Sequence, residues 1–177
     1  TLGNGVYNAY AYDAAGQLLD LFNHQTNGMV LSRFQYTYDS RGRRHTTTTT
    51  YGIGDPRTSL AGLWRYDYDD AGQLIGWTAP WGRRVGYTYD ALGNRLNVRD
   101  DGTNTTYTVN NLNQYTQVGS TTYQYDADGN LTNKVAPEGT TSYGWSFDNR
   151  LVQMNGPTGL WQNGYDAQGN RTRVVDG

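Results

Sequence analysis

Eight times in 177 residues an aromatic strand runs into the turn Tyr-Asp-x-x-Gly or a worn form of it. Clear copies are Tyr10-Ala-Tyr-Asp-Ala-Ala-Gly-Gln-Leu18, Tyr66-Asp-Tyr-Asp-Asp-Ala-Gly-Gln-Leu74, Tyr87-Thr-Tyr-Asp-Ala-Leu-Gly-Asn-Arg95 and Tyr123-Gln-Tyr-Asp-Ala-Asp-Gly-Asn-Leu131. Tyr36-Thr-Tyr-Asp-Ser-Arg-Gly42 and Tyr165-Asp-Ala-Gln-Gly169 keep the core of the pattern. Two copies have drifted, Tyr107-Thr-Val-Asn-Asn-Leu-Asn113 and Trp145-Ser-Phe-Asp-Asn-Arg-Leu151. The acidic or Asn marker falls at 13, 39, 69, 90, 110, 126, 148 and 166. A period near 22 residues means one supersecondary unit stacked many times. Two strands of about 5–6 residues with two connections fill that length, so the unit is a β-hairpin.

Each slot has a local cause. Aromatics at i and i+2 share one face of a strand. This assigns an aromatic ladder to Tyr10, Tyr12, Tyr36, Tyr38, Tyr66, Tyr68, Tyr87, Tyr89, Tyr107, Tyr123, Tyr125, Trp145, Phe147 and Tyr165. Asp13, Asp39, Asp69, Asp90, Asp126, Asp148 and Asp166 end their strands by accepting a backbone N–H two residues on, and Asn110 does the same. Gly16, Gly42, Gly72, Gly93, Gly129 and Gly169 supply the positive φ that closes the loop. Asn replacing both Asp and Gly in the fifth copy favours a turn over chemistry, because Asn serves both turn roles.

Composition agrees with an all-β chain of stacked antiparallel hairpins and no significant helix. There are 15 Asp but one Glu, and 13 Arg but one Lys. Glu and Lys are helix formers that sheets use sparingly, whereas Asp belongs in turns. No stretch sustains a 3.6-residue apolar period. A net charge of −2 gives no electrostatic case for nucleic acid, and no apolar stretch is long enough for membrane insertion. The absence of Cys excludes a disulfide framework. Residues 1–177 read as one segment of about eight repeats. Both ends look like its middle, which implies self-association through open sheet edges or further repeats of the same chain.

With those residues laid out, the chain resembles the YD-repeat (RHS-repeat) family, whose motif is Tyr-x-Tyr-Asp-x-x-Gly-Arg/Asn-Leu. The resemblance runs from Tyr10 to Arg173. It implies a spiralling β-sheet of the kind that walls a hollow shell in bacterial RHS toxins and Tc toxins, or forms part of the teneurin ectodomain. It also implies an extracellular or cell-surface location. The bacterial toxins end their repeats with a core rich in Asp-Pro-x-Gly. Here Asp55-Pro-Arg-Thr lacks that Gly and Gly156-Pro-Thr-Gly lacks the Asp, so no self-cleavage residue carries over.

Chemical readings are weaker. Asp126-Ala-Asp-Gly-Asn130 looks like a calcium loop, but Gly stands fourth and position twelve is Pro137; the EF-hand pattern needs Gly sixth and Glu twelfth. His24 and His45 are far apart in sequence and make no zinc pattern. No nucleophile–base motif is visible, so no catalytic residue, metal ligand or cofactor is assigned. Trp77 and Trp81, beside a Pro corner and outside the motif, are candidate glycan contacts. The sequence thus predicts a structural module forming a wall, shell or fibre. The alternatives are an adhesion or carbohydrate-binding module and a fragment of a toxin-encapsulating shell.

Overall fold

The computed structural model describes residues 5–176. These form sixteen strands: β1 Val6–Tyr12, β2 Leu18–Gln25, β3 Val30–Tyr38, β4 Arg44–Tyr51, β5 Gly62–Tyr68, β6 Leu74–Thr78, β7 Arg84–Tyr89, β8 Arg95–Asp100, β9 Thr103–Val109, β10 Tyr115–Val118, β11 Thr121–Tyr125, β12 Leu131–Ala136, β13 Gly139–Trp145, β14 Leu151–Gly156, β15 Gly159–Tyr165 and β16 Arg171–Asp176. One short 3-10 helix, Pro56–Leu60, sits in the long loop between β4 and β5. The all-β, stacked-hairpin expectation holds.

The contacts divide the chain into two compact units. The first runs up to Tyr89 and includes Asn97–Asn104; the second is Asp90–Leu96 with Thr105 onward. In the first, β1 to β7 form an antiparallel ladder in sequence order. In the second, β9 to β16 do the same. Within each ladder a strand touches only its neighbouring strands, and the Pro56–Leu60 helix packs against β4. Among the described residues the buried hydrophobic side chains are Ala79 and Val85, and no large side chain is fully enclosed. The thin core explains the low mean hydropathy: half-buried Tyr, Thr and Asn suit a sheet wet on both faces.

Connections alternate along the chain. Every motif turn joins an odd-numbered strand to the following even one; the other connections are more varied. Gln25–Met29 and Ala79–Arg83 close with the backbone hydrogen bonds of a motif turn but without its Asp. Between β12 and β13, and again between β14 and β15, a Pro-x pair makes a two-residue hairpin, with Ala136 opposite Gly139 and Gly156 opposite Gly159. Successive corners of this kind nest. A Cβ on Gly139, which has φ of 135°, would stand 2.7 Å from Pro157 Cγ. Gly139→Ala is therefore expected to destabilise the second unit by about 1–3 kcal/mol through backbone strain and the Pro157 clash. Urea unfolding followed by circular dichroism checks this; an unchanged midpoint would refute the nesting.

Candidate functional site

The repeated element is the turn, and its geometry is nearly constant. The anchor N–H donates to the carbonyl four residues on, and the Gly-slot N–H donates back to the anchor carbonyl: Asp13 with Gln17 and Gly16, Asp126 with Asn130 and Gly129, Asp166 with Asn170 and Gly169. Asp Oδ1 also accepts backbone N–H groups two and four residues on. Asp13 binds Ala15 at 2.9 Å and Gln17 at 2.8 Å, and Asp90 binds Leu92 at 2.9 Å and Asn94 at 2.8 Å. Asp39, Asp126 and Asp166 repeat both bonds, while Asp69 keeps the one to Gln73. The Gly slot holds φ near 80–90° at Gly16, Gly42, Gly72, Gly93, Gly129 and Gly169. Asn110 reproduces the arrangement, with Asn113 at φ 59° in the Gly slot. A one-residue register shift accompanies these hairpins just before the turn, as between Ala11 and Tyr12 or Gln124 and Tyr125. Such a bulge is what a positive-φ Gly loop imposes on a ladder.

Two contacts tie each repeat to the next. The first starts from the residue after the Gly slot, which reaches the following turn. Arg43 Nη1 donates to Asp69 O, Gln114 Nε2 to Gly129 O, and Arg150 Nη1 to Asp166 O, at 2.8, 3.0 and 3.2 Å. Asn94 and Asn130 donate to Asn113 Oδ1 and Asn149 Oδ1. The Gly slot thus has a second reason to be Gly. A Cβ on Gly42 would lie 2.8 Å from Gln17 Nε2, and one on Gly169 2.6 Å from Arg150 Nη2.

The second contact comes from the aromatic just before each anchor. Tyr38 donates its hydroxyl to Leu18 O, Tyr68 to Arg44 O, Tyr89 to Leu74 O, Tyr125 to Tyr115 O and Tyr165 to Leu151 O, at 2.7–3.0 Å. Trp145 Nε1 does the same to Leu131 O at 2.8 Å. Each acceptor is the residue five past the anchor of the preceding repeat. Val109 fills this slot in the fifth copy and has no donor. There Tyr115, from β10, turns its hydroxyl to accept the Arg95 N–H at 2.8 Å, its ring 5.3 Å from Tyr107. Burial raises the Tyr125 pKa, which keeps this phenol protonated as a donor.

These placements revise part of the sequence reading. Phe147 and Asp148 do not occupy the ladder and anchor slots. β13 ends at Trp145, Phe147 is fully exposed, and the anchor is Ser146, whose Oγ accepts the Arg150 N–H at 3.1 Å with Asn149 at φ 58°. Aligning Asn149-Arg150-Leu151 on Gly129-Asn130-Leu131 would have found this, and the anchors then fall at 126, 146 and 166. Asp148 lies at the turn tip, paired with Arg150. Nor do the Tyr rings of successive repeats stack on one another, because a strand intervenes. Arg side chains cover several instead: Arg44 over Tyr36, Arg43 over Tyr68, Arg95 over Tyr107 and Arg150 over Tyr165. Tyr10 and Tyr12 stand exposed on β1; Tyr66 pairs across strands with Trp77, and Tyr123 with Lys134.

Trp77 is built into the sheet. Its Nε1 donates to Tyr87 Oη at 2.9 Å, its ring lies 5.7 Å from Trp64, and Arg83 covers it. Trp81 is half-exposed on the corner, edge-on to Trp64. Among the described residues no three His, Cys, Asp or Glu side chains are grouped to hold a metal ion.

A model described as Teneurin YD-shell matches residues 58–138, and one described as RHS Repeat matches residues 125–160. The chain belongs to the YD-repeat, or RHS-repeat, family. No curated protein matches it in sequence. Among solved structures it is similar to a chain of the Photorhabdus luminescens Tc holotoxin pore, at TM-score 0.57 and 16% identity over 97% of this chain and 12% of that one. A TcdB2-TccC3 crystal structure matches at TM-score 0.68 and 14% identity, over 97% and 11%. A TcdB2-TccC3-Cdc42 structure matches at 0.56 and 17%, over 92% and 11%. The chain therefore spans about a tenth of the length of these toxin chains, and the likeness is one of fold.

The compensation at Val109 is testable. Tyr115→Phe is expected to cost about 0.5–1.5 kcal/mol. Adding Val109→Tyr, which restores the usual YD-repeat donor, is expected to recover most of that loss in urea melts. No recovery would mean that the two hydroxyls do not substitute for one another.

A second test uses pH. The Asn94 side-chain hydrogen bond, with backbone N–H groups, holds the Asp90 pKa below its ordinary value; Asn170 does the same for Asp166. The Arg43 N–H is foremost at Asp39, while at Asp126 burial opposes a set of hydrogen bonds that outweighs it. A depressed folded-state pKa gives stability that is present above the ordinary carboxylate value of 3.8 and is lost as pH falls below it through the folded value. The melting temperature is therefore expected to fall as pH drops below about 4. Asp90→Asn, which copies the Asn110 turn, is expected to flatten that fall; an unchanged acid limb would sink the argument.

Proposed function

We propose that the chain is a structural YD-repeat wall, one section of an extracellular shell or fibre whose sheet grows by adding identical joints. The observation that carries this is the aromatic-to-carbonyl bond, made repeatedly to the same slot of the repeat before. At β1 that joint is open: the Tyr12 hydroxyl has no partner among the described residues, and Gly16 meets no neighbour where Gly42 meets Gln17. At β16 the matching acceptor is the carbonyl of Arg171, five past Asp166. A repeat placed against either edge would find the same donor or acceptor slot that the repeats within the chain use. Such a head-to-tail contact does not close on itself and propagates.

An adhesion role on the same scaffold is the second reading. Half-exposed Trp81 favours it, whereas Trp77, already hydrogen-bonded and covered, does not.

Sedimentation velocity tests the wall. The chain is expected to form species well above 19.8 kDa. Asn8→Pro, which puts proline where the β1 N–H faces the free edge, is expected to reduce them to monomer with the β-sheet circular dichroism kept. A stable monomer at all concentrations would overturn assembly by copies and leave the joint to be completed within a longer chain.

A further inference from the structure

The face opposite the tyrosines carries a groove that the repeat does not require. It lies within the first unit, has a volume of about 680 Å³ and is lined by Asp67, Gly76, Thr78, Arg84, Gly86 and Arg99 among others. Its floor is two glycines in mid-strand, Gly76 and Gly86, directly opposite each other across β6 and β7. Neither has positive φ, and a Cβ on Gly86 would meet nothing closer than Ile75 O at 3.8 Å. Backbone conformation and packing therefore do not explain Gly86. Glycine inside a strand costs about 0.5–1 kcal/mol and often marks a place where a ligand comes close to the backbone.

The walls are charged and unspent. The guanidinium groups of Arg84 and Arg99 are exposed and make no ion pair or hydrogen bond among the described residues, while neighbouring Arg83 is held by Asp100 at 2.5 Å. Asp67 stands opposite Gly76, and Thr78 opposite Arg84. The two rows lie about 7 Å apart along the strands. Asp101 at the rim is already engaged electrostatically: its charge adds to the Asp100 hydrogen bond in raising the Arg83 pKa. The groove volume is within the roughly 300–1,000 Å³ usual for small-ligand sites. Two free guanidinium forks match a carboxylate, and Asp67 with Thr78 matches vicinal hydroxyls.

We propose that this groove binds an acidic glycan, a short oligosaccharide whose uronate carboxylate sits between Arg84 and Arg99 with its ring over Gly76 and Gly86. The site is distinct from Trp81 and does not depend on whether the wall continues in one chain or many.

The probe is a galacturonic acid trisaccharide, titrated calorimetrically into the chain, with its methyl ester as the neutral control. Saturable binding of the acid is expected, weakened at least tenfold by methyl esterification and by the Arg84→Ala, Arg99→Ala pair. Gly86→Val, which fills the floor and suits a strand, is expected to abolish binding with the melting temperature kept or raised; Trp81→Ala is expected to change nothing. No binding of the acid, equal binding of the ester, full affinity in Gly86→Val, or loss on Trp81→Ala alone would each overturn the assignment. So would equal competition by a tri-aspartate peptide, since the groove would then read charge and not sugar.

Discussion

A single oxygen that gathers two backbone N–H groups of its own turn is the contact on which the rest of this sheet depends. Asp Oδ1 at the anchor fixes where the strand stops, and the Gly slot three residues later fixes how it comes back. Together they set the bulge, and the bulge sets register. Register matters unusually here, because a one-residue slip turns every aromatic to the other face. It would also carry the pre-anchor hydroxyl away from the carbonyl it meets in the repeat before. The anchor needs an acceptor, not a charge, so Asn110 and Ser146 can hold the same place.

With almost nothing buried, stability has to come from neighbours. Each strand meets only the strands beside it, and the side chain after most Gly slots reaches the next turn. A chain so built behaves as a line of nearest-neighbour couplings, where losing one joint weakens its two repeats and leaves distant ones intact. Arg over Tyr is part of the coupling. It lays an alkyl stem and a flat cation across a ring that would otherwise face water. The bias to Arg over Lys in this chain follows from that geometry.

The hairpin, its all-β class and seven of the eight turns were legible because Tyr, Asp or Asn, and Gly act locally, within a few residues of one another. The seventh copy misled because Asp148 looked like an anchor, although its local bonds belong to Ser146 and the downstream Asn149-Arg150-Leu151 held the true register. The joints between repeats were not legible. A hydroxyl reaching a carbonyl 10 to 24 residues earlier leaves no spacing signal beyond the repeat itself. Tyr115 is the sharpest case: it reads as a strand residue, and only the geometry shows its hydroxyl accepting the Arg95 N–H in the repeat where Val109 brings no hydroxyl.

A wall one sheet thick also differs from a globular domain in what its faces are free to do. In a sandwich, the inner face of each sheet is committed to a core. Here the tyrosine side is committed to the joints between repeats, and the residue between the two aromatics has no duty common to the repeats, being Ala11, Thr37, Asp67, Thr88 or Gln124 in different copies. That side can vary without disturbing a turn or a joint. Departures from the repeat on it are therefore informative in a way that departures on the tyrosine side are not. The facing pair Gly76 and Gly86 is such a departure: it gives up strand propensity where no turn, bulge or contact at Gly86 asks for it.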